Sequence, residues 1–301
     1  MPAVNREDRA DWLSHDLMRP LRGWIAAHPV AAFVLLTFGI SYLVGGPMLI
    51  AGMSAIAPRA ALLRAYLPRL LVVYGPALAA LLLARVADPG GPALLLRRLL
   101  PSRTDLWVAA GVLFVSGIAA AIALRAAGVS SAEMARTLGA HAGLLAAHFA
   151  LQLGVVAVGE ELGWRGWLLP QLAARTSRLR AALGTGAIWG VWHAPLLFSG
   201  LATASMFLLF VVGLSVLFTW LWSYARSGLF TVVVAHACVN APLFFWEQVS
   251  AGAGGSDERL RRAWLVLQVM YTAAALVLVL ARWTWWSGTA AMERAAARRA
   301  A

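Results

Sequence analysis

The sequence predicts an all-α, polytopic membrane protein with about eight transmembrane helices and an intramembrane polar cavity. Hydrophobic residues make up 61% of the 301 positions and charged residues only 13%, whereas about a quarter of the residues in a soluble domain are charged. The apolar residues are also gathered into long runs, which a single soluble core would not bury. The cavity is predicted from the ionisable residues that interrupt these runs.

Eight apolar runs reach the ~20 residues that a helix needs to cross a bilayer. They are 30–53, 66–86, 106–124, 143–169, 181–200, 203–225, 228–246 and 263–283. The fifth and sixth runs are separated by so few residues that we expect them to form a tight antiparallel hairpin. The glycine-rich segment 247–262 is the clearest flexible loop.

The predicted organisation is an amphipathic N-terminal segment 1–29, one transmembrane domain 30–284 and a tail 285–301. In the first segment, Leu13, Leu17, Leu21 and Trp24 recur at spacings of four and three. This spacing predicts a short helix that lies on the membrane surface. The residues that can carry chemistry fall within a core of about 143–246.

The arginines predict the orientation, because all 25 basic residues are arginines. If the N-terminus is cytoplasmic, 17 of them fall on the cytoplasmic side and 8 on the other side. The positive-inside rule therefore favours cytoplasmic termini, and we expect a bacterial inner (cytoplasmic) membrane protein. The arginines do not form one stripe, which argues against nucleic-acid binding. With Cys238 as the only cysteine, an intrachain disulfide is excluded.

Adjacent carboxylates, Glu160 and Glu161, lie in the fourth run, and Arg165 follows four residues after Glu161. An ionisable group at membrane depth costs roughly 2.5–3.5 kcal/mol even on a lenient insertion scale. Glu161 and Arg165 can pair along one helix face, which leaves Glu160 to point elsewhere and to carry out chemistry.

Two later runs each contain one histidine beside a second notable side chain. His193 follows Trp189 by four residues, and His236 precedes Asn240 by four. Counted along the helices, His193, His236 and Asn240 lie at similar depths. We therefore expect them to meet Glu160 in one cavity in the cytoplasmic half of the membrane.

A carboxylate and two imidazoles support two kinds of hydrolysis. Glu160, His193 and His236 could bind zinc and leave one position open for water. Alternatively, Glu160 and His193 could activate water directly, while His236 and Asn240 donate hydrogen bonds to the developing oxyanion. The sequence does not separate these mechanisms, although it lacks an HExxH pair.

The motifs resemble those of the CPBP family, the bacterial CAAX-protease and bacteriocin-processing membrane proteins, which are related to the type II CAAX prenyl endopeptidases. The resemblance covers about 150–245. It rests on Glu160-Glu161-x-x-x-Arg165, on an aromatic residue four positions before His193, and on His236-x-x-x-Asn240. The aromatic residue is Trp189 here, where the family more often has Phe.

This resemblance implies an intramembrane endopeptidase that is either glutamate-dependent or a metalloprotease, with zinc as the candidate metal and no other cofactor. It makes Glu160 the water-activating base, assisted by His193, with Glu161 and Arg165 supporting the site. His236 and Asn240 become oxyanion or metal-site partners. The implied substrate is a peptide or protein, and a lipidated or membrane-anchored one is compatible with the family.

Two other functions stay open. Membrane carboxylates and histidines also serve proton-coupled transporters, but such a transporter would need polar residues through to the outer face. A non-catalytic scaffold or bacteriocin-immunity protein is the third possibility. His148 lies twelve residues before Glu160, and we expect it to lie outside the site.

Overall fold

The computed structural model describes residues 19–55, 62, 66–195, 201–224, 228–252 and 258–289, and the predicted all-α membrane fold is confirmed. The described residues contain helices and turns but no strand. Large apolar side chains are exposed around the helices, Leu43, Phe114 and Leu280 among them. An apolar outer surface is what contact with lipid requires.

The helices follow one another as antiparallel crossings. The first crossing is α1 (Pro29–Phe38), a π-helical segment (Gly39–Gly45) and α2 (Gly46–Ala55), followed by α3 (Leu70–Ala87), α4 (Gly91–Arg97) and α5 (Arg103–Ala126). The fourth crossing is α6 (Ser131–Leu151), a π segment (Gln152–Ala157), α7 (Val158–Gly163), a π segment (Trp164–Leu168) and α8 (Leu169–Ala173). The chain continues with α9 (Arg178–Trp192), α10 (Leu201–Tyr224), α11 (Phe230–Gly252), α12 (Glu258–Ala281) and α13 (Trp283–Ser287).

Seven segments among the described residues are long and apolar enough to span a bilayer, where the sequence predicted about eight. The difference lies in the run 181–200. Here α9 has 15 residues and ends at Trp192, so it rises only about 22 Å against a hydrocarbon core of roughly 30 Å. Residues 196–200 of this run lie outside the described residues.

Of the predicted N-terminal segment 1–29, residues 1–18 lie outside the described residues, and with them Leu13 and Leu17. Residues 19–27 are helical. Leu21 and Trp24 are exposed, whereas Ile25 is buried. Residues 290–301 of the predicted tail, and 253–257 of the predicted flexible loop, also lie outside the description.

The fourth crossing is longer and less regular than the predicted run 143–169, because it extends over Ser131–Ala173 and contains two π segments. π-helical turns are frequent at functional sites. Here they flank α7, the six-residue helix that carries Glu160 and Glu161. The carboxylate pair therefore lies on a short rigid segment between two local changes of helical register.

Two glycines let α7 lie directly against the backbone of α3. A Cβ at Gly159 would be 2.8 Å from the carbonyl oxygen of Val73, and one at Gly163 would be 2.6 Å from that of Pro76. Backbone atoms cannot move aside as a flexible side chain can. This close approach fixes the position of the carboxylate pair relative to α3.

The substitution Gly163→Ala tests this contact. Overpacking of this kind costs roughly 1–3 kcal/mol, so we expect the midpoint of thermal unfolding in detergent to fall. Gly139→Ala on α6 is the matched control, since nothing lies within 4 Å of its added Cβ and alanine favours a helix. Equal midpoints for the two variants would contradict close α3–α7 packing.

Candidate functional site

Three helices bring four of the predicted site residues to one cavity of about 1320 Å³. Glu160 reaches it from α7, His193 from the end of α9, and His236 and Asn240 from α11. Glu161 and Arg165 do not line the cavity; they are fully buried behind it. The constellation therefore has an accessible part and a buried part.

The buried part joins Glu161, Arg165 and His236. Arg165 Nη1 donates to both carboxylate oxygens of Glu161 at 3.0 Å. His236 Nδ1 lies 2.7 Å from Glu161 Oε1, so a carboxylate fixes the orientation of the imidazole. The sequence spacing correctly paired Glu161 with Arg165, but it gave no sign that His236 joins them from another helix.

Aromatic rings complete the surroundings of Arg165. Its guanidinium carbon lies 4.5 Å from the ring centroid of Trp189 and 5.0 Å from that of Phe218. Nε and Nη2 have no hydrogen-bond partner within the described part of the chain. The faces of two aromatic rings, which attract cations, therefore contribute to the environment of this buried charge.

Glu160 is buried at the edge of the cavity and is oriented by an indole. Trp189 Nε1 donates to Glu160 Oε2 at 2.6 Å. The sequence analysis treated Trp189 only as the aromatic residue of a motif, and the Phe that is more common there could not make this bond. One carboxylate oxygen of Glu160 is thus held in place by α9.

His193 caps the end of α9 and is half-buried. Its Nδ1 lies 2.9 Å from the carbonyl oxygen of Trp189. Because a carbonyl only accepts, Nδ1 carries the proton and Nε2 presents a lone pair. The rings of Trp192 and Phe207 pack on it with centroids at 4.9 Å. Trp189 therefore orients both Glu160, through its side chain, and His193, through its backbone.

Asn240 belongs to a row of hydrogen bonds that the sequence analysis missed. Its Nδ2 donates to Gln152 Oε1 at 3.2 Å, and Gln152 Nε2 donates to the Tyr66 hydroxyl at 3.1 Å. The row continues to His148 and Gln248. His148 does not line the cavity, yet it is connected to Asn240 through two residues that do. A glutamine within an apolar span, such as Gln152, was the available sequence signal.

The cavity extends from Glu160 toward one face of the molecule, which we call the Glu247 face. At this face α11 ends, α12 begins and the cavity is lined by Pro195, Glu247 and Arg261. The opposite face, where α3 and α8 end and α9 begins, we call the Arg98 face.

On the side of the Arg98 face, the polar cluster is covered by buried side chains. Trp164, Leu168 and Leu229 are fully buried there. Arg98 Nη1 donates to the Gly166 carbonyl, and its own carbonyl accepts from the Leu229 amide. The sequence analysis assigned the Arg98 face to the cytoplasm and the cavity to the cytoplasmic half. That pairing was wrong, because it counted residues along straight helices and did not include the cover.

The proposed zinc ligands do not form a metal-binding group. In the described ranges, no three His, Cys, Asp or Glu side chains are grouped as a bound ion would require. Glu160, His193 and His236 instead use atoms on Trp189 and Glu161. This arrangement does not fit the zinc alternative, and no step below is derived through a metal.

Comparisons with known proteins agree with the motif resemblance. Residues 141–242 match the family model described as "Type II CAAX prenyl endopeptidase Rce1-like". The chain is also similar to the CAAX prenyl protease 2 of Methanococcus maripaludis, with 27% identity over 97 residues. That match covers 29% of this chain and 36% of the relative, so the chain spans about a third of the length of the curated protein that it matches. The expected family resemblance is confirmed over a region that contains all six predicted site residues.

The substitution Arg165→Met tests the buried ion pair. It leaves Glu161 buried beside His236 without its permanent counter-charge, which costs roughly 3–5 kcal/mol. We expect a large drop in the midpoint of thermal unfolding. Arg262→Met is the control, since Arg262 pairs with Glu258 at the exposed end of α12, where an ion pair contributes little. Similar losses in both variants would argue against a special dependence on Arg165.

Proposed function

We propose that this chain is an intramembrane endopeptidase that hydrolyses a peptide bond with a water activated by Glu160 and His193. The observation that carries the proposal is the position of Glu160 and His193 on one cavity, both oriented by Trp189. The similarity of residues 141–242 to the type II CAAX prenyl endopeptidases supports the same reaction class. A positioned carboxylate and imidazole are a common pair for general-base catalysis.

The reaction would proceed as follows. The Glu160 carboxylate takes a proton from the water, whose second hydrogen is held by the lone pair of His193 Nε2. The water oxygen bonds to the carbonyl carbon and gives a tetrahedral intermediate. The carbon–nitrogen bond then breaks as the proton passes from Glu160 to the leaving amine. Glu160 is thereby returned to its carboxylate form.

The other two cavity residues face the developing negative charge. Protonated His236 donates Nδ1–H to Glu161 and has its Nε2–H left for the oxyanion. Asn240 has two Nδ2 hydrogens, of which one is donated to Gln152 and the other is available to the same oxyanion. Fixed donors of this kind typically contribute about 10²–10³ in kcat each.

The walls of the cavity support a substrate with an apolar part. Val72, Val155 and Val156 line it together with Leu49 and Ile50, whose side chain is largely exposed on the lipid-facing surface. A lipidated or membrane-anchored peptide would bring its own apolar surface to these residues. We therefore propose a substrate that enters from the membrane and presents a peptide segment to Glu160.

A transporter has less support from the same geometry. Transport would require a polar path from the cavity to both faces. The buried layer of Trp164, Leu168 and Leu229 lies between the polar cluster and the Arg98 face. A flux assay in proteoliposomes that responds to a pH gradient would favour transport over hydrolysis.

The substitution Glu160→Gln tests the mechanism directly. It keeps the size of the side chain but removes the base, so we expect kcat to fall by about 10²–10⁴ while the protein still folds. The substrates are a quenched fluorescent peptide with a farnesylated cysteine and an unlipidated peptide library. Glu133→Gln is the control, because Glu133 pairs with Arg259 away from the cavity.

Two outcomes of this assay decide between mechanisms. Retained turnover in purified Glu160→Gln protein would remove Glu160 as the base. Turnover of the unsubstituted protein that survives a chelator supports direct activation of water, whereas a loss that zinc alone restores would favour a metalloprotease.

Orientation can be tested without a substrate. The arginine count favours a cytoplasmic Arg98 face, and the cavity would then open on the other side of a bacterial inner membrane. We expect a membrane-impermeant maleimide to label Ser131→Cys and Ser250→Cys in right-side-out vesicles, and Ala174→Cys only after permeabilisation. All variants carry Cys238→Ala, which removes the chain's only cysteine. The reverse pattern would put the cavity mouth in the cytoplasm.

A further inference from the structure

The row of hydrogen bonds that begins at Asn240 has one consistent direction. Asn240 donates to Gln152, Gln152 donates to Tyr66, and the Tyr66 hydroxyl lies 2.9 Å from His148 Nδ1. His148 Nε2 in turn lies 2.8 Å from Gln248 Oε1. Since an amide oxygen only accepts, His148 Nε2 carries the proton, Nδ1 accepts, and Tyr66 donates to it.

The protonation of Tyr66 agrees with this direction. Burial raises the pKa of the Tyr66 hydroxyl to about 12, so the hydroxyl keeps its proton at neutral pH. It can therefore accept from Gln152 and donate to His148 at the same time. Each polar group in the row then has a partner of the right kind, as buried polar groups need.

Gln152 is held more firmly than a glutamine on a regular exposed helix. It is the first residue of the π segment Gln152–Ala157, and only 1% of it is exposed. Its amide nitrogen is used by Tyr66, so its amide oxygen is the atom that faces Asn240. The register change of the π segment thus occurs where a glutamine meets α11.

The bond to Gln152 determines which way the Asn240 amide points. If the amide of Asn240 turned over, its oxygen would face the oxygen of Gln152, and two acceptors would repel each other. The bond therefore keeps the NH₂ group of Asn240 beside Gln152 and leaves its second hydrogen for the cavity. A donor fixed in advance costs no reorganisation during the reaction.

We propose that Gln152 is a positioning residue, which holds the Asn240 amide in the orientation needed to stabilise the oxyanion. This inference rests on the proposed function. Gln152 acts through Asn240 and does not contact the reacting atoms. It should influence kcat more than KM, because an oxyanion donor acts on the transition state and not on substrate binding.

A double-mutant cycle tests this role against a purely structural one. We expect Gln152→Met to lower kcat about tenfold, which corresponds to about 1.4 kcal/mol, with KM changed less than twofold. Asn240→Ala should lower kcat by about 10²–10³. Gln152→Met should then have no further effect in the Asn240→Ala background. Independent, multiplying losses would overturn the proposal.

Two further variants sharpen the kinetic result. Gln152→Glu keeps an acceptor for Asn240, so its kcat should recover toward that of the unsubstituted protein. Gln248→Met removes the far end of the row but leaves the Asn240–Gln152 bond, so its kcat should stay nearly unchanged. Loss in Gln248→Met equal to that in Gln152→Met would show that the row only holds helices together. Thermal unfolding of every variant identifies effects that come from stability.

A second measurement needs no substrate. Asparagine occurs only at Asn5 and Asn240, so protein labelled with ¹⁵N-asparagine and carrying Asn5→Ser shows one side-chain amide by NMR. One of its two hydrogens should have a downfield, hydrogen-bonded shift, which Gln152→Met abolishes and Gln248→Met preserves. No change on Gln152→Met would overturn the proposal. If the bond is seen but Glu160→Gln retains turnover, the proposed hydrolysis fails and the Gln152–Asn240 contact stands.

Discussion

The structure depends on the burial of a full ionic group, Glu161 with Arg165, inside the membrane-spanning part of the chain. Neither side chain is exposed, and such charges are tolerated at depth only when they are paired and hydrogen-bonded. Meeting that requirement determines the surroundings. α7 packs on the α3 backbone through glycines, and aromatic rings from α9 and α10 cover the guanidinium. The third partner of Glu161 is His236 from α11.

This ionic group divides the polar residues into those that hold and those that face the cavity. Glu161 and Arg165 satisfy one another and, through His236, fix one imidazole. Glu160 is adjacent in sequence but projects to the other side, where only the Trp189 indole donates to it among its hydrogen bonds with described residues. Trp189 is the link between the two sets, because its ring lies against Arg165 and its polar groups hold Glu160 and His193.

Spacing within one helix could be predicted from the sequence, and contacts between helices largely could not. The pairing of Glu161 with Arg165 follows from their separation by one turn, and the approach of Glu160, His193 and His236 followed from similar depths. The bond from His236 to Glu161 depends on the rotation of α11, and no periodicity reports that rotation. The row through Gln152 depends on a π segment that changes the register. The α9 helix was predicted too long, because an apolar composition continues after the helix ends at His193.

The direction in which the cavity opens has a physical consequence for any chemistry with water. Water that reaches Glu160 must enter from the Glu247 face, because Trp164, Leu168 and Leu229 close the other side. The guanidinium of Arg165 lies between the cavity and that closed side, and its fixed positive charge repels cations, protons included. A membrane protein can in this way admit water to a buried carboxylate without opening a path for ions. The same ion pair that stabilises the helices therefore also separates hydrolysis from leakage across the bilayer.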